Sequence, residues 1–341
     1  MRKFLSGGAA AVLALAVLAG TAAADGEVNV YSSRHYKYDD QLFQAFTDAT
    51  GIQVNLIEGK GDELMQRLQA EGANSPADVF VTVDAGMLWR AEAMGLFQPT
   101  QSAVLKQRIP EYLRHPDGLW FGFSKRARVI LVDPTQVDPA LAQRYEDLAR
   151  PELKGEVCIR SSSNIYNLSL LGSIIDADGV EAAETWAKGV VANMAREPEG
   201  GDTDQLKAAA AGQCGVAVSN TYYYVRLLTS DDPADKAVAQ KLTIVFPNQG
   251  DRGTHVNVSG AGMAAHAPNK ANAQAFLEFL ASDTAQGYFA HGNNEYPVVL
   301  GIEADAAVLA LGSFKEDPIN VAVLGQNQPE AQKIFDRAGW K

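Results

Sequence analysis

The sequence predicts an α/β protein with two lobes, and three observations lead to this prediction. Short apolar runs alternate with helical patterns over most of the chain, which is typical of parallel sheets covered by helices. The alternation is interrupted by a long extended section and then restarts, which fits two lobes better than one continuous sheet. The 341 residues, 47% of them hydrophobic and 21% charged, suffice for two cores at roughly 150 residues per domain.

The first 24 residues have the pattern of a secretory signal peptide. Arg2 and Lys3 are followed by an apolar stretch at 9–18 and by three alanines at 22–24, where cleavage is expected. The apolar stretch is too short to span a bilayer, so we expect a periplasmic mature protein that begins at Asp25 and is not embedded in the membrane. The formal net charge of −12 argues against nucleic acid and anionic membranes as partners.

The first lobe is predicted from a βαβαβα order. Strands are expected at 28–31, 53–57 and 79–83, and helices at 40–49, 62–70 and 85–94. Extended segments at 120–123 and 128–132 then interrupt this order. We expect the N-terminal lobe to comprise residues 25–122 and 247–300, each lobe having a mostly parallel sheet.

The second lobe repeats the alternation. Strands are expected at 156–160 and 215–219, helices at 168–175, 181–194 and 205–211, and a further extended segment at 242–246. The C-terminal lobe is therefore predicted to comprise residues 123–246 and 301–341.

Cys158 and Cys214 are the only cysteines. In an exported protein a disulfide between them is expected more often than two buried free thiols.

Tyrosines occur at three places where a predicted strand gives way to a helix. Tyr36 follows His35 after the first strand, Tyr166 follows the strand at 156–160, and Tyr222 and Tyr223 follow the strand at 215–219. These positions lie at the carboxyl ends of strands, where α/β sheets bind ligands. One cluster falls in the first lobe and two in the second, so all three could line a cleft between the lobes and contact one bound ligand.

Several phenols together with a histidine indicate a metal site. With a pKa near ~10, phenols are poor acids or bases at neutral pH. A hard cation of high charge lowers that pKa and retains the anionic oxygen, and neutral imidazole fits the same set of ligands. Ferric iron is the common ion that suits anionic oxygen ligands without sulfur.

Four motifs resemble the periplasmic ferric-iron-binding proteins of bacterial iron ABC transporters, most closely the FutA/IdiA branch. They arrive in the order of that family and span most of the mature chain: SSRHY at 32–36, CIRSSSNIYN at 158–167, NTYYY at 220–224 and NNEYP at 293–297. The resemblance implies a type II periplasmic-binding fold that closes over its ligand, an inner-membrane ABC permease as partner, and a monomer. It also implies the iron ligands His35, Tyr36, Tyr166, Tyr222 and Tyr223.

The charge of such a site requires a compensating cation. Four phenolates around Fe³⁺ leave −1, which is costly to bury without a partner; with Fe²⁺ they leave −2, so some phenols would stay protonated. Arg34, next to His35, is the first candidate for a positive charge that lies beside the metal ligands without binding the metal, followed by Arg126 and Arg160. Tyr224 is assigned to packing, because successive side chains diverge.

Two other functions compete with iron transport. The same fold could bind a small anion or a polyamine, since the serines at 32–33 and 161–163 precede helices whose N-termini attract anions. An exported hydrolase is disfavoured, because the sequence contains neither a G-x-S-x-G nor an H-E-x-x-H motif. We therefore expect a binding protein and not an enzyme.

Overall fold

The computed structural model describes residues 26–34, 36 and 38–341. The predicted signal peptide and His35 lie outside the described residues. No helix in the described part of the chain is long and apolar enough to cross a membrane.

Nine strands form one sheet in the described part of the chain. Their bounds are β1 Glu27–Ser32, β2 Gln53–Glu58, β3 Val79–Thr82, β4 Phe121–Val132, β5 Val157–Cys158, β6 Val216–Asn220, β7 Thr243–Val245, β8 Val256–Met263 and β9 Tyr296–Pro297.

Fourteen α-helices accompany these strands over the same residues, several of them beyond the helices predicted from sequence. Their bounds are α1 Asp39–Thr50, α2 Gly61–Glu71, α3 Ala85–Ala93, α4 Ala103–Arg108, α5 Ile165–Asp178, α6 Val180–Asn193, α7 Asp202–Ala210, α8 Thr221–Leu228, α9 Pro233–Gln240, α10 Lys270–Leu280, α11 Asp283–Gly287, α12 Ala306–Leu309, α13 Ala322–Gln326 and α14 Gln328–Ala338.

The strand order is β2-β1-β3-β8-β4-β6-β5. β1 pairs in parallel with β2 and β3, and β5 pairs in parallel with β6. β8 is antiparallel to β3, and β4 is antiparallel to both β8 and β6. The α/β prediction is confirmed, and the sheet is mixed because the central strands β4 and β8 pair antiparallel with each other and with their outer neighbours β6 and β3.

β4 and β8 connect two of the hydrophobic cores among the described residues. In β4, Phe123 packs into a core built from α1, α3 and α10, whereas Ala127 packs among residues of α7 and α8. In β8, Val258 belongs to the first of these cores and Val256 to the second. Both strands therefore change core at adjacent points, which supports the predicted division into two lobes; the exact lobe boundaries stay a prediction.

The two cysteines form a disulfide that ties β5 to the segment preceding β6. Cys158 and Cys214 are bonded, with their Cα atoms 6.0 Å apart. β5 and β6 are adjacent parallel strands, and the bridge closes a loop of chain that contains Tyr166, whereas Tyr222 lies beyond it, after the carboxyl end of β6. The expected disulfide is confirmed.

Candidate metal centre

Each of the predicted tyrosines follows the carboxyl end of a strand, as expected. Tyr36 lies in the loop between β1 and α1. Tyr166 is the second residue of α5, and Tyr222 and Tyr223 are the second and third residues of α8. β5 and β6 are parallel to each other but run opposite to β1, because β3, β8, β4 and β6 are linked by three successive antiparallel pairings. The carboxyl ends of β1 and β6 therefore face each other along β4, and the tyrosine-bearing turns that follow them approach from opposite sides.

The tyrosine side chains from both lobes meet. The phenol oxygens of Tyr166 and Tyr222 are 3.3 Å apart. The rings of Tyr222 and Tyr223 have centroids 4.3 Å apart, and the ring of Tyr36 lies 6.4 Å from that of Tyr222. Three distant parts of the chain therefore place phenols in one cluster.

The same tyrosines stand at the positive ends of helices. The Asn164 side chain caps α5 by accepting a hydrogen bond from the backbone N–H of Tyr166 at 3.2 Å. Tyr222 occupies the equivalent position in α8. The helix dipole favours negative charge near such helix N-termini. Tyr224 lies two residues after Tyr222, and its hydroxyl is within hydrogen-bond distance of the carbonyl oxygens of Ala239 and Leu242.

Burial keeps these phenols protonated when no metal is present. Loss of solvent raises the pKa of Tyr36, Tyr166 and Tyr222. Mutual repulsion raises them further: charge on Tyr223 and Tyr36 raises the pKa of Tyr166, and Glu295 raises that of Tyr36. A bound cation would have to displace these protons, and the free energy for that must come from metal–oxygen bonds.

Arg34 lies under Tyr36 and is already paired. Its guanidinium is 4.5 Å from the centre of the Tyr36 ring and forms salt bridges with Asp39 at 3.2 Å and Glu295 at 3.3 Å. All three charged side chains are buried. Glu295 belongs to the NNEYP motif, but nothing in the sequence indicates that it would meet Arg34 from 261 residues away.

Four more arginines surround the cluster. Arg126, Arg128 and Arg160 have their guanidinium carbons 5.5, 5.7 and 5.5 Å from the centre of the Tyr166 ring. Arg226 lies 5.0 Å from the Tyr222 ring and 5.2 Å from the Tyr36 ring. Sequence reasoning missed Arg128 and Arg226; Arg226 is one helical turn after Tyr222 and Tyr223, and that spacing could have indicated it.

The phenols are the donor groups that this structure offers a metal. No group of three or more His, Cys, Asp or Glu side chains that could hold a metal occurs among the described residues. The fold and the site together define a class of protein. It is a solute-binding protein of the type II periplasmic fold, in which two strands cross between two cores and residues from both lobes contribute to one cluster of phenols.

Comparison with known proteins agrees with this class. The family of bacterial extracellular solute-binding proteins matches residues 74–315, and the chain belongs to it. It is 53% identical to the Iron uptake protein A1 of Synechocystis sp., over 96% of this chain and 91% of that one.

Solved structures give the same result. The chain is similar to the Trichodesmium IdiA (FutA) protein in complex with iron and citrate, with 55% identity, a TM-score of 0.90, and coverage of 93% of this chain and 100% of that one. It is also similar to the ferric binding protein from Campylobacter jejuni, with 42% identity, a TM-score of 0.87, and coverage of 92% and 100%. The expected membership in the FutA/IdiA-like branch is confirmed, and these relatives are named for binding and uptake, not for catalysis.

Proposed function

We propose that this protein captures ferric iron in the periplasm and delivers it to an inner-membrane ABC permease. The observation that carries the proposal is the meeting of Tyr36 from one lobe with Tyr166, Tyr222 and Tyr223 from the other. The names of the relatives, which describe iron uptake and ferric iron binding, support the same ligand.

In this proposal the metal ligands are the four tyrosines together with His35, which precedes Tyr36 in the sequence. Fe³⁺ with four phenolates carries −1. Among the described residues, five guanidinium groups lie near the cluster, and four carboxylates pair or interact electrostatically with them. The net charge of these nine groups is +1. These groups are Arg34, Arg126, Arg128, Arg160 and Arg226, and Asp39, Asp84, Asp202 and Glu295. The loaded site would then be close to neutral if the solvent-exposed Arg226 is counted among its cations, and a site with little net charge is less costly to bury.

The crossover strands suggest how iron is taken up and released. Tyr36 lies just before α1, which packs into the first core, whereas Tyr222 and Tyr223 lie on α8, which packs into the second, and Tyr166 lies on α5, which packs against β6. A rotation about β4 and β8 would therefore separate Tyr36 from the other three tyrosines. An open form would expose the phenols to iron, and closure would complete the set of ligands. Release would follow protonation of the ligands, reduction of the iron, or opening imposed by the permease.

The remaining parts of the proposal concern location and assembly. Residues 1–24 act as a signal peptide that directs the chain to the periplasm, and the mature protein works there as a monomer. A monomer is sufficient because both lobes of one chain supply the whole proposed set of ligands.

The test is a titration of the purified mature chain with ferric citrate. Wild type is expected to develop a visible phenolate-to-iron charge-transfer band at one iron per chain, and the Tyr222→Phe/Tyr223→Phe double variant to lose it. Tyr224→Phe is the matched control, because its hydroxyl lies near the carbonyl oxygens of Ala239 and Leu242. A double variant that keeps the band and the affinity would refute the ligand assignment. A colourless wild type that is thermally stabilised by sulfate or spermidine would favour an anion or polyamine receptor instead.

A further inference from the structure

A buried arginine connects the two turns that carry Tyr166 and Tyr222. Arg128 lies on β4 directly across from Asn220 on β6. One terminal nitrogen of its guanidinium donates to Asp202 Oδ2 at 2.7 Å and to Asn220 Oδ1 at 3.1 Å. The other donates to Asn167 Oδ1 at 3.0 Å. Asn167 follows Tyr166 directly, and Asn220 stands two residues before Tyr222.

The partners of Arg128 are themselves fixed to the same two turns. Asp202 Oδ2 also accepts the backbone N–H of Asn220 at 2.7 Å. The side-chain amide of Asn167 donates to the carbonyl oxygens of Arg160 and Ser161, at 2.8 and 3.1 Å. The guanidinium of Arg128 therefore fixes the distance between the turn before α5 and the turn before α8.

We infer that Arg128 is a positioning residue that sets the phenol of Tyr166 against that of Tyr222. The inference rests on the proposed function, since it assumes that both phenols bind the metal. The Arg128–Asp202 pair is shielded from water, with side chains 1% and 0% exposed, so its geometry is held without competition from solvent. A planar fork with several donors reaches both asparagines at once, whereas a lysine ammonium is a single point of charge.

Arg128→Lys is the variant that separates positioning from charge. It keeps a cation beside Asp202 but cannot bridge Asn167 and Asn220 together. We expect it to fold, to bind Fe³⁺ roughly tenfold more weakly than wild type, and to shift the charge-transfer band. Arg252→Lys is the matched control: Arg252 pairs with Glu146, away from the tyrosine turns, and its variant should keep the wild-type affinity and band.

A double-variant cycle tests whether the loss acts through the ligands. If Arg128 positions Tyr166, then Arg128→Lys combined with Tyr166→Phe should bind almost as well as Tyr166→Phe alone, because the group being positioned is gone. Should the two losses multiply, Arg128 acts on affinity independently of Tyr166 and the inference is wrong.

Asn167→Ala provides a second variant in case Arg128→Lys does not fold. It removes only the Tyr166 arm of the network, so its loss of affinity should disappear in a Tyr166→Phe background and multiply in a Tyr222→Phe background. The opposite pattern would overturn the inference.

The failures of the two proposals differ. If Tyr166→Phe and Tyr222→Phe both bind iron like wild type, the proposed ligands are wrong and the role of Arg128 falls with them. If those variants bind weakly while Arg128→Lys and Asn167→Ala match wild type in affinity and spectrum, only the positioning role is refuted.

Discussion

Iron affinity should rise steeply with pH. Burial raises the pKa of Tyr36, Tyr166 and Tyr222 above the ordinary phenol value, so all three are protonated in the metal-free protein at neutral pH. Binding converts them to phenolates. Each proton displaced changes the affinity by about one decade per pH unit, so these three phenols give about three decades, or ~4 kcal/mol, between pH 6 and pH 7.

The assay is a citrate competition titration over this range, corrected for the known pH dependence of ferric citrate. A parallel titration in weakly buffered solution with a pH indicator should release about three or more protons per iron. Tyr166→Phe removes one of these phenols and should lower the slope by about one decade per pH unit. A wild-type slope below about one decade per unit, or release of fewer than one proton, would show that these phenols do not ionise on binding and would refute the ligand assignment.

Two further predictions concern stability. The metal-free protein should lose stability as the pH rises above about 10, because phenols whose pKa is raised in the folded state stabilise it only while they remain neutral. Thermal unfolding at pH 9 and pH 11 measures this loss. An unchanged midpoint of unfolding would contradict the prediction. Replacing both Cys158 and Cys214 by alanine should lower the free energy of unfolding by about 4 kcal/mol, since the disulfide closes a loop with a sequence separation of 56. Denaturant unfolding of the variant and of wild type gives the difference, and a loss below about 1 kcal/mol would count against it.

The sequence was sufficient for features set by local pattern. Apolar alternation and helical spacing located β1, β2, β3 and the helices between them to within a few residues, because these elements follow from neighbouring side chains. The three tyrosine clusters could be found in the same way, since each stands at a strand-to-helix turn. The disulfide could also be predicted, because an exported chain with two cysteines can form one intramolecular disulfide.

The groups that compensate the charge of the phenols could not be predicted from local sequence pattern. Arg34 could be named as a counter-charge for its position beside His35, but its pairing with Asp39 and Glu295 depends on a contact across 261 residues. Arg128 was missed because its role comes from the pairing of β4 with β6, which brings it opposite Asn220. Such partners share no local pattern.

The amino-acid sequence by itself determined the class of fold, the export pattern, the disulfide partners and the residue types that make a metal site at the strand ends. Tertiary structure alone decided that Tyr36, Tyr166, Tyr222 and Tyr223 meet in one cluster, and that arginines and carboxylates, most of them buried, lie around it in nearly balanced number. The physical reason is that local structure depends on neighbouring residues, whereas distances between phenols and the burial that raises their pKa arise only when β4 and β8 bring the two cores together.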